Sequence, residues 1–185
     1  MLLKTAPATI EDLYNEPGKA ELIGGRIVRY MSTGEKPSRF ACRILRNLAD
    51  YVDRLGRGGV YTDGLGYTVP ELPSGRESFS PDVSFYDGPL PKNPMRFIEG
   101  PPTFAVEVRS ESDYRPGAEE DMAAKRADYL AAGTLVVWDV DTLAERIYVY
   151  RASHPDTPQT FVRGQLAEAE PAVPGWRVSV DWIFA

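Results

Sequence analysis

One histidine and one cysteine are all that this 185-residue chain holds of the softer metal-binding and nucleophilic side chains. With Cys42 alone, no internal disulfide can form, which fits a cytoplasmic protein. The single histidine, His154, lies in Ser153-His154-Pro155-Asp156, which reads as a turn-like loop. A Ser-His-Asp site or a multi-histidine zinc site is thereby disfavoured unless His154 itself folds inward. Long apolar runs are missing too. None approaches the roughly 20 residues that span a bilayer, and Met1-Leu2-Leu3-Lys4-Thr5-Ala6-Pro7 carries no signal-peptide pattern, so no membrane partner is expected. Basic charge is also in short supply. Lys and Arg number 21 against 27 Asp and Glu, for a net charge of −6. That balance argues against tight nonspecific binding to nucleic acid, which rests on many phosphate contacts. It leaves open a locally basic cleft, or a metal bridging acids to a phosphate. Any catalysis must then run on carboxylates and lysines, with a hard cation such as Mg²⁺ or Mn²⁺ as the natural companion.

What is present suffices for one domain over residues 1–185, with 43% apolar and 26% charged residues. The chain is organised around the stretch from Ser80 to Asp113. Ser80-Pro81-Asp82-Val83-Ser84-Phe85-Tyr86 and Thr103-Phe104-Ala105-Val106-Glu107-Val108-Arg109 are two apolar, β-branched and aromatic runs. Strands of this composition are built to be buried. Each nevertheless carries a carboxylate, Asp82 or Glu107, and a bare buried carboxylate is costly. Either a basic partner neutralises each acid, or the two share a cation.

Around these strands the other elements fall in order. Thr9 to Tyr14 reads as a short helix, with Thr9 as N-cap and Asp12 three residues on. Ala20-Glu21-Leu22-Ile23 and Arg26-Ile27-Val28-Arg29-Tyr30 flank Gly24-Gly25, a strong hairpin signal. Phe40, Ile44, Leu48, Val52 and Leu55 recur with helical spacing, predicting a helix over Ser38 to Leu55. Arg39, Arg43, Arg46 and Arg54 take its other side, as a solvated basic face or a phosphate-contacting one. Gly56-Arg57-Gly58-Gly59 is a helix stop, since no Walker-type Lys-Ser/Thr follows. Glu71 to Glu77 reads as a loop, and Asp87 to Pro102 as a long Pro-rich connection. Ala118 to Ala132 predicts a second helix ending at Gly133. Thr134 to Val140 is a buried strand with Trp138 in the core, and Arg146 to Tyr150 returns antiparallel to it. The remainder, with Trp176 to Val180, reads as peripheral strands and turns.

Strand alternation places Glu107 and Arg109 on one face. On the second helix, Asp121, Lys125 and Tyr129 form one stripe, able to aim Lys125 at the acidic strand ends, where Glu21 could complete the group. Here the residues carry a resemblance. Pro81-Asp82 followed by Glu107 in an apolar strand resembles the PD-(D/E)XK nuclease superfamily. The whole chain is similar to the Uma-type restriction-endonuclease family. It matches at Glu21-Leu22-Ile23-Gly24-Gly25-Arg26, Ser80-Pro81-Asp82-Val83-Ser84 and Val106 to Asp113. Lys125 with Tyr129 to Gly133, and Val137-Trp138-Asp139-Val140-Asp141, complete the set. Two departures stand out. Arg109 occupies the place of the superfamily lysine two residues after the glutamate, and the family pattern moves that lysine onto the following helix, as Lys125. Phe40 stands near where the family often has a histidine.

The resemblance implies an α/β restriction-endonuclease-like fold. A central mixed β-sheet would be flanked by the first long helix on one face and the second on the other, with an N-terminal β-hairpin. It implies an endonuclease hydrolysing DNA phosphodiester bonds with Mg²⁺ or Mn²⁺. Glu21, Asp82, Glu107 and Lys125 would be catalytic, and Asp82, Glu107 and the Val108 backbone carbonyl would hold the metal. Arg109 would stabilise charge, since it stays protonated. DNA would be the partner and a homodimer the assembly. Plainer readings stay open. Asp82 caps a turn, Glu107 pairs with Arg109 or Lys125, Lys125 pairs with Asp121, and Glu21 is an ordinary hairpin residue. A catalytically silent nuclease fold, used for binding or assembly, is the alternative function, and a non-nuclease structural dimer is the third.

Overall fold

The computed structural model describes residues 6–185. Helix α1, Ile10–Tyr14, opens on a capping box, in which the Thr9 hydroxyl accepts the Asp12 N–H and the Asp12 carboxylate accepts the Thr9 N–H. Strands β1, Ala20–Ile23, and β2, Arg26–Arg29, form the hairpin. Its turn residues Gly24 and Gly25 both have positive φ, +57° and +66°, the conformation a tight two-residue turn of matching twist requires.

Helix α2, Glu35–Leu55, starts three residues earlier than the apolar spacing predicts. Pro37 falls in its first turn, where the missing N–H has no intrahelical partner to lose. Five short strands follow: β3, Gly59–Thr62; β4, Tyr67–Thr68; β5, Ser78–Phe79; β6, Val83–Tyr86; and β7, Ile98–Glu99. Next come β8, Phe104–Val108, a 3₁₀ turn over Glu111–Tyr114, and α3, Ala118–Ala132. The cap residue Gly133 of α3 is left-handed at φ +112°. Strands β9, Val136–Asp141, β10, Arg146–Arg151, and β11, His154–Val162, complete the main sheet. Strands β12, Leu166–Glu168, and β13, Arg177–Ser179, and helix α4, Val180–Phe184, close the chain.

The main sheet is mixed, in the order β11-β10-β9-β8-β6-β3. Only β8 and β9 are parallel, and α3 is the crossover that joins them. Both faces of this centre are covered, which is why β9 is buried at every position. On one face Val106, Trp138 and Val140 pack with Phe40, Ile44, Leu48 and Val52 of α2 and with Ile183 and Phe184 of α4. On the other, Ala105 and Val137 pack with Tyr129 of α3 and with Tyr67, Phe79 and Ile98 of the small β5-β4-β7 sheet. The predicted mixed sheet, with its two helices on opposite faces and an N-terminal hairpin, is therefore present.

Three expectations need correction. His154 begins strand β11 rather than lying in a turn, and it stays exposed. Pro155 and Pro158 are tolerated there because β11 is a sheet edge. Trp176 is core rather than periphery. Its ring stacks on Trp138 at 5.1 Å between centroids, and its indole N–H donates to Asn47 Oδ1 at 2.9 Å. Part of the basic face of α2 is neither free nor on phosphate, since Arg43 donates to the Trp182 carbonyl at 2.7 Å and so holds α4. Phe40 is fully buried, edge-on to Phe184 at 5.0 Å, so that position serves the core. Among the described residues, no helix is long and apolar enough to cross a membrane.

Trp176→Ala should lower unfolding free energy by about 3–5 kcal/mol in urea denaturation, the usual cost of emptying a large buried aromatic site. A cost below about 1 kcal/mol would place the indole outside the working core.

Candidate active site

The site is assembled by three junctions of backbone. Strand β6 pairs antiparallel with β8, with Val83 opposite Val106. The same register carried one residue further sets Asp82 across from Glu107. The Asp82 N–H donates to the Val106 carbonyl at 3.1 Å, and the Val108 N–H donates to Asp82 Oδ2 at 2.8 Å. So Asp82 is more than a turn cap: its carboxylate is held against the end of β8. The second junction is α3, which returns over β8 and β9. It directs Lys125 and Tyr129 at Glu107, at 2.9 Å and 2.6 Å from Oε1.

The third junction brings in the hairpin. Strand β1 docks on the segment before β5, through Glu77 N–H to the Leu22 carbonyl, Leu22 N–H to Ser78 Oγ, and Gly24 N–H to the Gly75 carbonyl. Glu21 is thereby driven inside and has no exposed surface. It is no ordinary hairpin residue. Lys125 lies 3.0 Å from its Oε1, the Ser80 N–H donates to the same oxygen at 2.9 Å, and the Tyr30 hydroxyl donates to Oε2 at 2.8 Å. The Arg76 guanidinium pairs with Oε2 and with Asp128, the latter at 2.8 Å.

The four residues expected to be catalytic thus lie together. Lys125 bridges Glu21 and Glu107, and it makes these contacts rather than an exposed pair with Asp121. Arg109 shares the face of Glu107, as alternation requires, but its guanidinium is held bidentately by Asp139 at 2.7 Å and also reaches Glu119 at 3.0 Å. Arg126 takes the same two acids, closing a separate ion network beside the site.

Several members are invisible in the linear pattern. Lys19 lies 2.7 Å from Asp82 Oδ1, and Arg76 comes from a stretch that reads only as a loop. Tyr30 and Tyr129 supply hydroxyls. Of these only Tyr129 left a signal, as the third member of the Lys125 stripe on α3.

Charge balance decides the protonation states. Burial pushes Glu21 upward, but Lys125 and Arg76, with the Tyr30 and Ser80 hydrogen bonds, outweigh it and bring the carboxyl down to about 2. Burial raises Glu107; Lys125 pulls it back, and the like charge of Asp82 pushes it up again, leaving it above its ordinary value. Burial disfavours the Lys125 ammonium, yet Glu107 and Glu21 more than reverse this and hold the proton on firmly. Lys125 is therefore held as a cation in this arrangement.

As for a metal, two adjacent carboxylates are hard oxygen donors of the kind Mg²⁺ takes, and that ion is commonly held by one or two carboxylates with water and phosphate completing its shell. Asp82 and Glu107 fit this pattern, with ammonium groups now balancing their charge. Among the described residues, no three His, Cys, Asp or Glu side chains converge as a metal site. Glu21, turned to Arg76 and Lys125, stands as their anchor.

The depressed Glu21 value makes a pH prediction. An ionised carboxylate at about 2 against an ordinary 4.5 contributes about 3 kcal/mol above pH 4.5, and that contribution drains away as pH falls toward 2. Glu107 works oppositely and above 4.5, so the windows do not overlap. Between pH 5 and pH 3 the wild type should lose about 2 kcal/mol more than Glu21→Gln in urea unfolding. Parallel pH profiles would contradict the assigned ion pairs.

Comparison with known proteins gives this cluster its context. A solved structure from Anabaena variabilis ATCC 29413, described as a "putative nuclease belonging to DUF820", superposes with a TM-score of 0.75 at 19% identity, covering 96% of this chain and 98% of that one. At that identity the likeness shows the shared fold. No curated protein matches. The model of the Uma2 family, described as "Putative restriction endonuclease", matches residues 7–181, so the chain belongs to the Uma2 family.

Proposed function

We propose that this protein is a Mg²⁺-dependent endonuclease that hydrolyses DNA phosphodiester bonds, with Mn²⁺ as an effective substitute. The observation that carries the reading is the meeting of Asp82 and Glu107 at paired ends of two neighbouring strands, with Lys125 locked beside them. The family supports nucleic-acid cleavage as the reaction class, and DNA is the substrate its description favours.

Asp82 and Glu107 would hold the metal, with the Val108 backbone carbonyl beside them. When bound, the metal supplies Lewis-acid polarisation of the phosphate and a more acidic water. The protein's own groups do the rest. Lys125 keeps its proton and places a positive charge where negative charge grows on the phosphate oxygens. Glu21, ionised at all but strongly acid pH, holds Lys125 in that position. Tyr129 fixes one Glu107 oxygen through its hydroxyl. Arg109 is committed to Asp139, so its contribution to the phosphate would be long-range charge only. A homodimer is the natural assembly for cutting both strands of a duplex.

The ion pairs Lys19–Asp82 and Lys125–Glu107 favour a second reading. The lysines alone could neutralise the carboxylates, and the fold would then bind nucleic acid without cutting it. Calorimetry with Mg²⁺ and Mn²⁺ on the wild type, Asp82→Ala and Glu107→Ala separates the two, with supercoiled and single-stranded DNA offered to the same samples. The nuclease reading predicts metal binding and cleavage in the wild type and a loss of at least about 100-fold in cleavage in each variant. Metal binding without cleavage of either DNA would favour the silent fold. No metal binding, with DNA present, would overturn the enzyme reading.

A further inference from the structure

Lys19, like Arg76, is a cation at the site that neither strand pattern nor helix stripe announces. It precedes the hairpin, 63 residues before its partner Asp82. The two lysines that flank the Asp82–Glu107 pair are held differently. Lys125 has two carboxylates, Glu107 and Glu21, and lies between the rings of Tyr30 and Tyr129, at 5.2 Å and 5.9 Å from their centroids. Lys19 has a single carboxylate, Asp82, and only a distant approach to Tyr30 at 6.0 Å. Both ammonium groups are largely shielded, with side chains 19% and 14% exposed.

Lys19 also has a second neighbour. It lines a cleft of about 410 Å³, walled by Leu13, Tyr14, Gly18, Gly64, Ser80 and Phe97. Ser80 lies two residues before Asp82, so the cleft adjoins the segment that carries this carboxylate. The wall contains the acids Glu16 and Asp63, of which Glu16 is tied to Arg29 at 2.7 Å. Among the described residues, Lys19 is the only basic one lining the cleft. An anion entering there has one cation to meet.

We infer that Lys19 is a switch residue for substrate: paired with Asp82 in this structure, it turns to a nucleic-acid phosphate in the adjoining cleft once a divalent cation takes Asp82. The inference rests on the metal reading given above and adds a substrate contact to it. Electrostatics sets the direction. A divalent ion on Asp82 places two positive charges beside the ammonium and removes the carboxylate with which it is paired. Lys125, still paired with Glu21, has reason to stay, whereas Lys19 has none. A flexible four-carbon stem with a compact charge can make that move without backbone change. The pair with Asp82 also has a cost for function, since metal binding must first break it.

The test uses Lys19→Gln and Lys19→Met, with thermal melting to show that both are folded. Mn²⁺ is titrated calorimetrically without nucleic acid. Removal of the competing ammonium should tighten Mn²⁺ binding by several-fold to about tenfold, the scale of one partly exposed ion pair. A purely structural lysine would leave Mn²⁺ affinity unchanged or weaken it. With DNA present, the KM for cleavage should rise roughly tenfold in both variants while kcat changes less, and Lys19→Arg should restore KM. Wild-type-like or weaker Mn²⁺ binding in the variants would overturn the switch and leave the metal reading standing. Mn²⁺ binding to none of these proteins would overturn both. If cleavage is absent throughout, the Mn²⁺ affinities alone still decide whether Lys19 guards Asp82.

Discussion

The contact on which the rest of this site depends is the bridge that Lys125 makes between Glu21 and Glu107. Its three residues come from three separately built pieces: the hairpin, the central strand β8 and the crossover helix α3. Each is largely removed from water, where an unpaired charge costs several kcal/mol. None of the three can therefore be placed alone. The ammonium makes the two carboxylates tolerable, and the carboxylates make the buried ammonium tolerable. Arg76 extends the same logic outward, joining Glu21 to Asp128 on the same helix. The hairpin, otherwise two four-residue strands with an exposed second member, is fastened to the sheet by charge and by the backbone bonds around Ser78.

This arrangement explains why the site sits where it does. The parallel pair β8–β9 requires a crossover, and α3 provides it, so the end of β8 faces the start of that connection. The apolar part of β8 is buried on both faces, and the first position free to carry a charge is Glu107, at the strand's end. Strand β6 runs antiparallel beside it and enters from the same end, so the residue just before it, Asp82, meets Glu107. Two like charges so placed need a cation. In this structure the ammonium groups of Lys19 and Lys125 share that task, while burial, joined by the like charge of Asp82, still leaves Glu107 above its ordinary value.

Much of this was legible in the amino-acid sequence, and for definable reasons. The α3 boundaries follow from one helical stripe and a glycine in left-handed geometry. Asp82 and Glu107 stand out because carboxylates in β-branched runs contradict their surroundings. Lys125 follows from its place one turn before Tyr129. Arg76 and Lys19 were not legible, because both come from irregular segments and their partners lie 55 and 63 residues away in sequence. Nothing local marks such a residue. Trp176 escaped for a related reason. It heads a short alternating run, Trp176 to Val180, that fits a peripheral strand as well as a core one, and only the folded chain brings it onto Trp138. His154 was misplaced because Pro155 suggests a turn, whereas an edge strand also accepts proline.

The central claim is that Asp82 and Glu107 form one cation site completed by Lys125. The most direct measurement is an anomalous difference map from crystals grown with Mn²⁺. The account predicts one peak within coordination distance of both carboxylates, with Lys125 still on Glu21 and Lys19 withdrawn from Asp82. A map with no peak there, and both lysines still on Asp82 and Glu107 at saturating Mn²⁺, would contradict it.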